Sequence, residues 1–313
     1  MNLRFEGLET LIQIFEEDSF NEELFVEFIN CEQFKGFIEH EKNLHRQTSE
    51  ESIKSCLKLT LAGSGAKETY GFNYIAKYKS QIKDKISELR NNSKEIQQVL
   101  RERISRYAPL DIYEDNFTIH IYGGGWDYGF SEKDGECYIN LALLADDIEF
   151  LEDIMAHEYY HSRRREAEIQ PYDFTKENYL KTFMYHIMEE GVATLVQFEY
   201  EKKYDGFAFI SKERFDKRLE YFQNLDNCIR ECEIKNNFSN EAVFGYFQDS
   251  IPNYIVGYYI AQVLFQEEGK GGLELWNRNC NYVDSFKKYI NILRCKGLGS
   301  GFSMEVEDYI LGL

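Results

Sequence analysis

The sequence predicts an α+β protein, mostly helical, with one small antiparallel or mixed sheet beside a central helix. Three observations predict it. Apolar residues recur at helical spacing up to about Tyr107, short β-branched and aromatic runs replace them after Pro109, and helical spacing returns from Asp146 onward. The three prolines, Pro109, Pro171 and Pro252, each stand where one pattern gives way to another.

Taken in order, Leu8, Leu11, Ile12 and Phe15 make one apolar helical face and Leu24, Phe25 and Phe28 a second, and a charged helical stretch runs from Tyr78 to Arg106. The strings Ala62-Gly63-Ser64-Gly65 and Asn91-Asn92 interrupt the period and separate helices. Phe117–Tyr122 and Glu136–Leu144 read as strands, with Gly123–Phe130 and Asp134-Gly135 as glycine-rich connections, which gives two or three antiparallel strands. Gly123-Gly124-Gly125, followed by Trp126-Asp127, is expected to be a flexible hairpin connection, with the lining of a substrate cleft as the alternative. The chain divides into an N-terminal helical region, residues 1–108, and a second region, residues 109–313.

Composition excludes several classes of function. With 43% hydrophobic and 16% aromatic residues among 313, the chain can fill a core, so disorder is not its dominant state. Lys and Arg number 36 against 55 Asp and Glu, a formal charge of -19 that repels phosphate and argues against nucleic acid or an anionic membrane as partner. No apolar run reaches the roughly 18 residues of a membrane helix. The first twenty residues carry carboxylates instead of a basic segment before an apolar run, so no secretion signal is expected. Seven cysteines, odd in number and without C-x-x-C spacing, suit free thiols in a reducing cytoplasm.

One motif carries chemistry. Ile148–Arg165 has an apolar face of Ile148, Leu151, Ile154 and Met155, with Asp146 or Asp147 as N-cap, and contains His157-Glu158-Tyr159-Tyr160-His161. Histidines four apart on a helix project from one face, so both imidazoles reach a single ion. Glu158 lies beside such an ion, where a carboxylate takes a proton from metal-bound water and returns it to the leaving amine. An H-E-x-x-H string arises by chance in about one chain of this size in a hundred, so it outweighs the reading of two solvated histidines.

A catalytic zinc keeps three protein ligands and leaves a position for water. The next helical stretch, from about Asn178 to Tyr200, holds His186-Ile187-Met188-Glu189-Glu190-Gly191-Val192-Ala193-Thr194. With the first motif, this string resembles the gluzincin metallopeptidases, in which a glutamate on a second helix completes a two-His, one-Glu zinc site, and bacterial zinc-dependent peptidase families that carry Glu-Gly-x-Ala there. The resemblance spans about Glu136 to Tyr200 and implies a zincin-like catalytic region over residues 109–313. It implies Zn2+ held by His157, His161 and Glu190, with Glu158 as general base in hydrolysis of a peptide or protein substrate. Glu189, and His186 one turn before Glu190, stand as rival third ligands. A loop around Gln170-Pro171-Tyr172 would absorb the long spacing between the two motifs, and Thr194 would make a weak contact orienting a ligand histidine. By the same resemblance, Tyr138–Leu143 would be an edge strand beside extended substrate, and Tyr258, or Tyr254 one turn earlier, would donate to the oxyanion. A zinc-binding but catalytically silent interaction module is the alternative. Arg163-Arg164-Arg165 reads as a charge run at the helix end.

Overall fold

The sheet is assembled from strands far apart in the chain. The computed structural model describes residues 1–63, 70–114, 116–144, 148–163, 173–198, 211–247 and 251–313. It falls into two compact units, residues 1–102 with 113–164 and residues 103–112 with 165–313.

The elements of the first unit are β1 (Asn2–Arg4), α1 (Glu6–Ile14), α2 (Glu22–Asn30), α3 (Glu32–Asn43), α4 (Glu50–Leu61), α5 (Phe72–Asn91), most of α6 (Ser93–Tyr107), β2 (Thr118–Tyr122), β3 (Gly129–Lys133), β4 (Glu136–Asn140), α7 (Leu141–Leu144) and α8 (Ile148–His161). Polar side chains start two of these helices. Asn21 accepts from the Glu23 and Leu24 amides at 3.0 and 3.2 Å, and Ser49 forms a capping box with Ser52. The interruptions at Ala62 and at Asn91-Asn92 do end helices.

Four strands lie in the order β1-β2-β4-β3. β2 runs parallel to both β1 and β4, and β3 runs antiparallel to β4, so the sheet is mixed. Gly135, with φ of 77°, turns the hairpin between β3 and β4. Because β3 takes the outer side of that hairpin, β4 is left inside the sheet against β2 and becomes parallel to it. β1 has only three residues, too few to show a strand period, and the sequence pattern had placed it among helices. Glu136–Leu144 is a strand only to Asn140, after which Leu141–Leu144 turns helical.

Helices cover both faces of the sheet. On one, Gly36 of α3 comes so close that an added Cβ would lie 2.3 Å from the Tyr138 ring. Four rings stack across that face, with centroids 4.6 Å from His120 to Tyr138, 4.6 Å from Tyr138 to Phe130 and 3.9 Å from Phe130 to His40. Strand alternation sends Ile119, Ile121, Cys137 and Ile139, all fully buried, to the opposite face. There α8 packs, and Tyr159 stacks on Phe117 with centroids 4.1 Å apart.

The second unit is helical in its described residues: α9 (Tyr179–Phe198), α10 (Lys212–Asp216), α11 (Arg218–Ile229), α12 (Asn240–Phe247), α13 (Ile251–Glu268), α14 (Glu274–Asn279), α15 (Tyr282–Cys295) and α16 (Met304–Gly312). Its centre is the crossing of α9 and α13. A Cβ on Gly191 would sit 2.2 Å from the carbonyl carbon of Gly257, and one on Gly257 would sit 1.9 Å from the Ile187 carbonyl oxygen. Only glycine at both positions lets the backbones approach this far. Among the described residues no helix is long and apolar enough to cross a membrane.

Candidate metal centre

Helix α8 builds the first half of the site. Its apolar residues Leu151, Ile154 and Met155 are buried, which fixes the roll of the helix and therefore the direction of its last turn. His157 and His161 present their Nε2 atoms to one another at 3.0 Å, with ring planes at 72°. Two ring nitrogens this close can both reach an ion about 2.0 to 2.1 Å from each. His157 is buried and His161 is half-buried.

Glu158 is buried at 8% exposure and lies against the first residue of β3. A Cβ on Gly129 would be 2.7 Å from Glu158 Cγ and 2.8 Å from the Tyr138 carbonyl oxygen. The missing side chain at position 129 is thus what gives this carboxylate its place beside the strand. The glycine-rich reading of Gly123–Phe130 held no signal that singled Gly129 out.

Helix α9 supplies the acidic candidate. Every residue from Tyr179 to Phe198 is buried except Lys181 and Glu190, so Glu189-Glu190 is not a solvated helix face. The ligand atoms of His157, His161 and Glu190 all lie within 4.8 Å of one another, and they form a group able to hold a metal ion among the described residues. Glu189 and His186, both buried on α9, are outside that group. Two neutral imidazoles and one carboxylate suit zinc, and three protein ligands leave a coordination position open.

A protein-family model described as "Putative zinc dependent peptidase (DUF5700)" matches residues 25–296, well over half of the chain. The chain belongs to this family. The DUF5700 match extends from within α2 to the end of α15, so it takes in β2, β3, β4, α8 and α9 together. No curated protein and no solved structure matches.

The other expected residues are placed as well, and some expectations are redrawn. Tyr138–Leu143 is not an edge strand, because β4 is paired on both sides; β3 holds the sheet edge next to Glu158. Thr194 is fully buried and its hydroxyl makes no hydrogen bond among the described residues, so it orients no histidine. Arg163 is not part of a solvated charge run. It is fully buried, its guanidinium lies 4.2 Å from the Tyr160 ring centre, and it donates to the Tyr160 carbonyl at 3.3 Å. Tyr258 is fully buried, its ring 6.4 Å from Phe198 and 5.7 Å from Phe215, whereas Tyr254 is half-buried. Asp146, Asp147, Arg164, Arg165 and the loop around Gln170-Pro171-Tyr172 lie outside the described residues, as do residues 64–69.

The loop before β3 is fastened, and it is not a hairpin connection, since β2 and β3 are not neighbours. Asn140 at the end of β4 donates to the carbonyls of Gly124 and Asp127 at 2.8 and 3.1 Å. Gly125 donates to the Tyr70 carbonyl at 2.9 Å. Arg46 grips both Asp127 oxygens at 2.5 and 3.1 Å, and His40 adds a third contact at 3.3 Å. Burial alone would raise the Asp127 pKa, but bonding from His40 and Arg46 outweighs it and holds the carboxyl at about 2.

Proposed function

We propose that this protein hydrolyses peptide bonds at a zinc ion held by His157, His161 and Glu190, with Glu158 as general base. The carrying observation is the gathering of these three donors within 4.8 Å while Glu158 lies buried against the start of β3. Bound zinc would supply Lewis acidity that makes water a nucleophile at neutral pH. Glu158 takes the proton of the attacking water and delivers it to the leaving amine. The side of β3 that has no strand partner among the described residues would give an extended peptide a row of backbone groups to pair with, holding the scissile carbonyl in register beside Glu158.

Tyr258 is assigned as donor to the developing oxyanion. The support is its position next to Gly257, which crosses Gly191, the neighbour of Glu190.

The test is to measure zinc content and peptide hydrolysis side by side. Glu158→Gln is expected to keep its zinc and lose activity about a thousandfold, as general acid–base residues do. Tyr258→Phe is expected to lower kcat by about a hundredfold with KM unchanged. Full activity in Glu158→Gln would leave the hydrolytic reading without a base, and wild-type protein that binds zinc but cleaves nothing would indicate a silent module.

A further inference from the structure

We propose that Trp126 is a specificity-determining residue, whose indole face receives a bulky apolar side chain of the peptide a few residues from the bond that is cut. The inference deepens the peptidase reading and rests on it. Tryptophan is enriched among the residues that carry binding energy at contact surfaces. Trp126 is 58% exposed, yet both of its neighbours are pinned: Gly125 through its amide to the Tyr70 carbonyl, and Asp127 through Arg46, His40 and the Asn140 amide. The indole is therefore displayed by a fixed backbone and loses little entropy when it is covered.

Its position gives it an occupant. Three residues further on, Gly129 opens β3 and touches Glu158, and among the described residues β3 pairs with β4 alone. A peptide laid along that edge with its scissile bond at Glu158 extends past the loop that carries Trp126. The Asp127 carboxylate is already engaged by Arg46, which also pairs with Glu41, and by His40, so the contact that the ring itself offers is apolar.

The protein has two tryptophans, and Trp276 is fully buried, so acrylamide quenching reports Trp126. The experiment uses the zinc-loaded Glu158→Gln protein and blocked glycine-serine peptides carrying a single Phe, Ala or Lys, with wild-type cleavage of the same peptides measured in parallel. The Phe peptide is expected to shield Trp126 from quencher, the Ala and Lys peptides to leave it exposed, and Trp126→Ala to bind the Phe peptide about tenfold more weakly with its zinc retained. Cleavage of the Phe peptide without shielding, or equal shielding by the Lys peptide, overturns the assignment while sparing the peptidase reading. Shielding by the Phe peptide without wild-type cleavage supports the assignment and counts against hydrolysis. Neither shielding nor cleavage contradicts both.

Discussion

Glu158 illustrates how one side chain depends on the absence of another. The carboxylate could be identified in the sequence from its place between His157 and His161, because helix geometry alone fixes those three directions. Its neighbour Gly129 could not, since the contact joins residues 29 positions apart and glycine in a loop usually means turn freedom. Gly129→Ala would drive a methyl group into both Glu158 and the Tyr138 carbonyl, and the backbone contact leaves it no easy escape. It is expected to lower kcat by about ten- to a hundredfold, the scale of a small misplacement of a catalytic group, with zinc content unchanged. Steady-state kinetics with metal analysis checks this; unaltered kcat would mean that the strand does not position the base. Arg163 shows the opposite failure of sequence reading. Three consecutive arginines suggest solvent, yet the first is fully buried on Tyr160, which no local pattern reveals.

Among the elements, the long helices were legible because their apolar period and interruptions are local signals; α4 ends at Leu61 and α5 ends at Asn91 as the strings Ala62–Gly65 and Asn91-Asn92 predict. Strand order was not legible. Which strand lies outside depends on the side that the β3–β4 hairpin turns toward, so the edge fell to β3 where the sequence pointed to Tyr138–Leu143. The loop of residues 123–128 was misread for a related reason: its stiffness comes from Asn140, Arg46 and His40, all distant in sequence. That loop should be acid-sensitive. Because the folded pKa of Asp127 is lowered to about 2, its stabilising contribution is complete above the unfolded value of roughly 3.9 and disappears as pH falls through the folded one. Fluorescence anisotropy is expected to show Trp126 gaining mobility across that window, and Asp127→Asn to remove the transition. A transition that survives in Asp127→Asn would assign the hold to other groups.

At the scale of the whole molecule, α+β class followed from the switch of residue pattern at Pro109 and back at Asp146, and the structure bears it out with a mixed sheet of four strands in a mainly helical chain. The family match over residues 25–296 spans both the His157–His161 string and the Glu189–Ala193 string. What the sequence could not decide was which third residue joins the histidines, because Glu189, Glu190 and His186 share one helix. Among the described residues it is Glu190 whose ligand atom lies within 4.8 Å of those of both histidines. Zinc K-edge X-ray absorption on protein purified without added metal tests this most directly. The expected result is about one equivalent of zinc with two imidazole nitrogens and a carboxylate oxygen, losing its oxygen ligand in Glu190→Ala but not in Glu189→Ala. A zinc-free protein, or a metal enclosed by four protein side chains, would contradict it.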